Sequence, residues 1–145
     1  MTLHHSSCRQ ANFRIDLKEV DVEEIYADKR QIEQVLLNMI NNACEAIEKK
    51  GGGGMIFISV KKKGSNIMIG IRDNGIGIAG EDKAKIFDPF FTTTAPRGTG
   101  LGLSVSYGIV ERHGGRIDFE SEPDLGTTFR IYLPLEKENK DAIPT

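Results

Sequence analysis

Two glycine-rich segments, Asp73-Asn74-Gly75-Ile76-Gly77-Ile78 and Gly98-Thr99-Gly100-Leu101-Gly102-Leu103-Ser104, bracket a stretch rich in glycine, proline and threonine. A strand-like apolar run leads into the first segment and a helix-like run leaves the second. With 145 residues the chain has material for one core, so this long irregular segment must be carried inside a single compact unit. A stretch of that kind is more often functional than structural.

The flanking pattern is regular. Ala11, Phe13, Ile15 and Leu17 alternate with Asn12, Arg14, Asp16 and Lys18, the period-two signature of a half-buried strand. Asp28 is an N-cap candidate for a helix over 29–49, whose Ile32, Val35, Leu36, Met39, Ile40, Ala43 and Ile47 form one apolar stripe. Gly51 to Gly54 end it. Strands are predicted over 55–63 and 66–73 with a turn at Lys63-Gly64-Ser65, and a short helical piece over 81–86. A second helix over 101–113, stopped by Gly114-Gly115, and strands over 116–120 and 127–133 complete the set. The expected fold is α+β: a two-layer α/β sandwich, with a mixed sheet covered by helices on one face. One domain is expected over 11–135, with residues 1–10 a disordered leader and 136–145 a frayed tail.

Net charge is −2 with both signs interspersed, which excludes the basic stripe of a nucleic-acid binder. No apolar run approaches the roughly 18 residues of a membrane span, and no export signal opens the chain, so membrane contact by this domain is not expected. Cys8 and Cys44 read as free thiols of a reducing, cytoplasmic compartment. His4, His5 and Cys8 cluster in the polar leader and are not read as a metal site, and His113 beside Gly114-Gly115 is read as structural.

Four groups of residues, and one threonine besides, carry candidate chemistry. Asn38, Asn42 and Glu45 lie at i, i+4 and i+7, hence on one side of the long helix. Asparagine is a poor mid-helix choice, and its carboxamide suits Mg²⁺ and phosphate oxygens, although a solvated polar face has the same look. Asp73 with Gly75, Gly77 and Ile78 combines a strand-end carboxylate, which would accept from an exocyclic amine, with backbone able to approach a flat ligand; a plain Asp-Asn-Gly turn is the alternative. The glycines from Gly98 to Gly102, with Leu103 behind them, open a helix and so offer unpaired N–H groups to polyphosphate, yet lack the Gly-Lys-Ser/Thr of a Walker loop. Phe87, Phe90 and Phe91 anchor a lid, dock a partner, or pack locally. A threonine at the start of the last strand, Thr127, is within reach of a bound base, or simply starts the strand.

In order and spacing, Asn38…Asn42-Ala43, Asp73-x-Gly75-x-Gly77, Phe87…Phe90-Phe91, Gly98-x-Gly100-x-Gly102 and Gly126-Thr127 resemble the N box, first glycine box, F box, second glycine box and final glycine-threonine of histidine kinases. These belong to the GHKL ATP-binding superfamily, with gyrase, the large heat-shock chaperone and mismatch-repair ATPases. The resemblance covers roughly residues 12 to 135 and implies the Bergerat fold, with Mg-ATP under a lid. It implies that Asn42 ligands Mg²⁺ with Asn38 in support, that Asp73 bonds the adenine amine, and that Gly75, Gly77 and Ile78 line the base pocket. Glu45, Phe91, Thr92, Thr93, Gly98, Thr99, Gly100, Leu101, Gly102, Leu103 and Thr127 complete the implied nucleotide surround.

Hydrolytic members carry a glutamate base four residues before the Mg-binding asparagine; here that position is Asn38, which favours a kinase. The closest likeness is to the nitrogen-sensor-like subgroup. This chain has Thr94 where many of those relatives carry a lysine, leaving Arg97 as the candidate catalytic cation. No segment matches the phosphoacceptor helix, so the implied partners are a separate dimerisation and phosphoacceptor domain of the same parent, soluble or membrane-anchored, and a response-regulator receiver. The isolated domain is expected to be a monomer. An ATP-driven machine and a degenerate docking module are the rival readings.

Overall fold

The computed structural model describes residues 11–16, 28–88 and 102–135. Five strands form one sheet: β1 Ala11–Asp16, β2 Gly54–Lys63, β3 Asn66–Asp73, β4 Arg116–Glu122 and β5 Gly126–Pro134. Their order is β1-β2-β3-β5-β4; β1 runs parallel to β2 and all other neighbours are antiparallel. The mixed sheet is therefore as expected, its parallel pair joined by a helical crossover. Helix α1 spans Lys29–Lys50, helix α2 Gly102–Arg112, and a 3-10 helix Gly80–Lys85 takes the place of the short helical piece. Leu101, expected to open α2, lies outside the described residues.

The period-two pattern decides which sheet face the helices cover. Ile56 and Ile58 of β2, Ile67, Ile69 and Ile71 of β3, and Phe129, Ile131 and Leu133 of β5 are buried against Val35, Met39, Ile40, Ala43 and Ile47 of α1 and Ile109 and Val110 of α2. Each such large side chain contributes about 1.5–3 kcal/mol through burial. Ile32 and Leu36, at the flank of the predicted stripe, are only partly buried. The opposite face is held by charge and aromatic contact: Arg130 pairs with Asp118 at 2.8 Å and Glu120 at 3.3 Å, and the Arg72 and Arg116 guanidinium groups lie over Phe57 and Tyr132.

Cys44 departs from expectation. It is buried in the α1 stripe and disulfide-bonded rather than a free thiol. A count of two cysteines carries nothing that separates a bonded pair from two thiols.

The two helices are tied at their far ends. The Asp28 carboxylate caps α1 by accepting from the Arg30 N–H at 3.0 Å and the Gln31 N–H at 3.3 Å. His113, just beyond α2, accepts the Asp28 N–H at Nε2 (3.0 Å) and holds the Ile109 carbonyl at Nδ1 (2.8 Å). Because Nε2 must accept, the ring proton sits on Nδ1, and the histidine works as a strut. Asp28→Ala should lower stability by about 1 kcal/mol, read as a fall in the urea midpoint at unchanged slope. An unmoved midpoint would leave the cap without energetic weight.

Candidate functional site

The site forms where the end of β3 meets α1. Ile76 donates its N–H to the Ala46 carbonyl at 3.0 Å. A methyl group on Gly75 would sit 2.5 Å from the Ala46 carbonyl carbon, and one on Gly77 (φ +75°) would collide with the Glu122 carbonyl oxygen. What these glycines clear first is therefore protein backbone: the loop is clamped between α1 and the β4–β5 hairpin. From sequence alone their smallness fits either a flat ligand or a plain Asp-Asn-Gly turn. From the hairpin side, Asp124 donates its N–H to Ile76 O at 2.7 Å, and Lys50 Nζ donates to Asp124 O at 2.7 Å.

Asp73 ends β3 opposite Thr127 of β5 and is 5% exposed. Its Oδ1 accepts the Gly75 N–H at 2.8 Å, and the Thr127 backbone N–H also bonds the carboxylate. Burial outweighs these two bonds and pushes the carboxyl from 3.8 up to about 6. A cleft of about 570 Å³ opens here, lined in part by Asp73, Lys83, Phe119, Ser121 and Thr127. A buried carboxylate with acceptor capacity to spare, at the wall of a cleft, is suited to a ligand's N–H donors.

The two asparagines expected to act together do different things. Both Asn38 amide protons are taken, by Gly102 O at 3.1 Å and Ser106 Oγ at 3.0 Å, while its oxygen accepts from Gln34 at 2.9 Å. Asn38 thus binds the start of α2 to α1. Among the described residues Asn42, one turn on, has a buried Nδ2 with no partner, and Asn41 a buried Oδ1 with none. A buried polar atom left unpaired costs about 1–3 kcal/mol. With a rise of about 6 Å per four residues, Asn42 stands one turn from Asn38, which grips α2, and one turn from Ala46, which seats the glycine loop. Glu45 is partly buried on the same helix.

Thr127 and Ser121 are buried, and Ile78 is partly buried with its N–H bonded to Ser121 Oγ at 2.8 Å. Gly102 starts α2 beside Asn38, and Leu103 packs on the core. Phe87 resolves its alternatives in favour of packing: its ring lies 5.1, 6.0 and 6.4 Å from those of Tyr107, Phe119 and Phe129. Phe90, Phe91, Thr92, Thr93, Arg97, Gly98, Thr99, Gly100 and Leu101 lie outside the described residues. Ser121 and Lys83, whose Nζ donates to Ser121 O at 2.7 Å, were not singled out from sequence. A serine in a charged strand end carries no periodic signal.

The residues present fit a nucleotide: an adenine-type amine for the Asp73 carboxylate, and phosphate oxygens for the unpaired Nδ2 of Asn42, whose N–H groups can only donate. Residues 27–137 match the family described as "Histidine kinase-, DNA gyrase B-, and HSP90-like ATPase". The chain is 44% identical over 118 residues to sensor histidine kinase ZraS of Escherichia coli K12, a match covering 81% of this chain and 24% of that protein. It therefore spans about a quarter of that relative's length. The nucleotide-free catalytic domain of histidine kinase ThkA superposes with a TM-score of 0.73 at 35% identity, covering 87% of this chain and 81% of that one. Full-length ShkA in complex with AMPPNP gives 0.74 at 25% identity, over 86% and 25% of the two chains.

Asp73 makes the fold's stability depend on pH with a definite sign. The folded protein holds this proton more tightly than the unfolded chain, so the carboxyl costs nothing below about pH 3.8. The cost grows from there to about pH 6 and is constant above, with an upper figure of about 3 kcal/mol. Asp73→Asn, uncharged throughout, should be more stable than the parent at pH 7.5 and lose that advantage by pH 4. Urea unfolding across this range measures the difference, and a gap that does not narrow on acidification would contradict the buried-charge account.

Proposed function

This chain belongs to the histidine kinase-, DNA gyrase B- and HSP90-like ATPase family, and we propose that within it the chain is the Mg-ATP-binding catalytic domain of a two-component sensor kinase of the nitrogen-sensor-like subgroup. It donates the γ-phosphate to a histidine in a separate dimerisation domain of its parent, for relay to a response-regulator receiver. The observation that carries this reading is the buried Nδ2 of Asn42, a donor suited to phosphate oxygens and without a partner among the described residues, midway between the turn that grips α2 and the turn that seats the glycine loop. The likeness to ZraS and to the AMPPNP complex of ShkA supports it.

In this reading the Asn42 carboxamide oxygen would hold Mg²⁺ while its Nδ2 donates to a phosphate oxygen, and Asn38 keeps the start of α2, and with it the end of the second glycine box, against α1. Asp73 accepts from the adenine amine, and Thr127 adjoins the base. Gly98, Thr99, Gly100 and Leu101 close over the phosphates, with Phe91, Thr92 and Thr93 nearby and Arg97 as the cation toward the γ-phosphate. Bound Mg-ATP supplies a phosphoryl group whose charge is already partly neutralised, so the protein's task is positioning. Asn38 supports transfer over hydrolysis: it offers no basic carboxylate, and both its amide protons are committed. Among the described residues no helix is long and apolar enough to cross a membrane. As a catalytic domain of a two-component sensor kinase it is assigned to the cytoplasm, its parent soluble or membrane-anchored.

One Mg-ATP incubation, read for both nucleotide binding and phosphate release, tests the reading. Binding with negligible release is expected; steady release would replace it with an ATPase. Asp73→Asn should abolish ATP binding with the fold intact. Asn42→Asp should weaken Mg-dependent binding by roughly tenfold or more, and equal affinity with and without Mg²⁺ in the parent would remove the metal role from Asn42.

A further inference from the structure

Ser121 is buried to 5% exposure and its single hydroxyl meets three groups: the Ile78 N–H at 2.8 Å, the Gly126 carbonyl at 3.0 Å and the Thr127 hydroxyl at 2.8 Å. The roles of all three are forced. An amide N–H can only donate and a carbonyl oxygen can only accept. Ser121 therefore accepts from Ile78 and gives its one proton to Gly126 O. Nothing remains for Thr127, which must donate its own proton to Ser121. The reverse arrangement would set the Gly126 carbonyl against hydroxyl lone pairs in a buried place, the costly kind of mismatch.

We propose that Ser121 is the positioning residue that sets base specificity: by accepting the Thr127 proton it leaves Thr127 an acceptor only, so that Thr127 and its register partner Asp73 present acceptors alone to the exocyclic group at position 6 of the purine. This rests on the nucleotide-binding reading above. At position 6 a 6-aminopurine offers two N–H donors, whereas a 6-oxopurine offers a carbonyl oxygen, which two acceptors repel. The carboxylate alone gives part of this discrimination. Locking the threonine proton removes the one donor that would rotate to welcome the wrong base.

The probes are ATP and inosine triphosphate, which differ at position 6 and in the protonation of the neighbouring ring nitrogen. Their affinities are measured by calorimetry on the whole chain and its variants. Ser121→Ala frees the Thr127 proton to donate outward, so the ATP preference should fall by about fivefold or more, the weight of one hydrogen bond. In a Thr127→Val background the same change should leave the preference unmoved. A purely structural role would weaken both nucleotides together at a constant ratio, and that result overturns the proposal. If the alanine variant does not fold, Ser121→Cys is read the same way, since it keeps the volume and its sulfur is a weak acceptor. A parent chain that binds neither nucleotide would sink the underlying nucleotide reading, whereas ATP binding with an unaltered ratio would sink only the role of Ser121.

Discussion

The seating of the first glycine loop on α1 is the contact on which the rest of the site depends. The Ile76 N–H reaches the Ala46 carbonyl at 3.0 Å only because Gly75 has no side chain to hold the two backbones apart. That approach brings the end of β3 to the helix face that carries Asn42. The hairpin between β4 and β5 closes the other side through Asp124 and Glu122, and Lys50 ties the hairpin back to the last turn of α1. Helix, loop and hairpin thus form a closed ring of short contacts. A side chain at Gly75 or Gly77 would force that ring apart, and Asp73, Asn42 and Thr127 would lose their common frame.

Inside the ring the fold retains polar groups that it has not satisfied. Asp73 is buried strongly enough to resist ionisation until about pH 6, and Asn41 and Asn42 each keep a buried polar atom without a partner. Each such group works against folding. Elsewhere the polar groups are matched: Arg130 faces two carboxylates, and His113 uses both ring nitrogens. A ligand with complementary donors and acceptors would remove these deficits, and their removal on binding is a source of affinity.

What the chain's pattern made legible was local. Period-two and helical spacing gave β3 at its observed bounds and the other elements within about two residues, and Asp28 was readable as a cap from its type and place. These features depend on neighbours a few residues away. Less legible was whatever depends on a distant partner. That Asn38 would spend both amide protons on α2, 64 and 68 residues on, cannot be seen in the helix that carries it. The bonded state of Cys44 and the hub at Ser121, which reaches 43 residues back to Ile78, are hidden for the same reason. The glycines of Asp73–Ile78 were readable as necessary, but their use against Ala46 and Glu122 was visible only once the elements were assembled.

Asn38 and Asn42 then divide one helix face between structure and chemistry. A carboxamide with both protons and an acceptor site engaged, as in Asn38, is fixed in orientation and adds no free charge. A glutamate there would lose both donors to α2 and set a carboxylate against the Gly102 carbonyl, so the base of a hydrolase and this tie between the helices are incompatible at one position. By filling that place with a tie rather than a base, the chain secures the start of α2 on α1 and, on the proposed reading, would leave water near bound phosphates without an activating group. For the phosphoryl donor proposed above, that combination has an advantage: positioning is retained while the wasteful reaction with water gets no help.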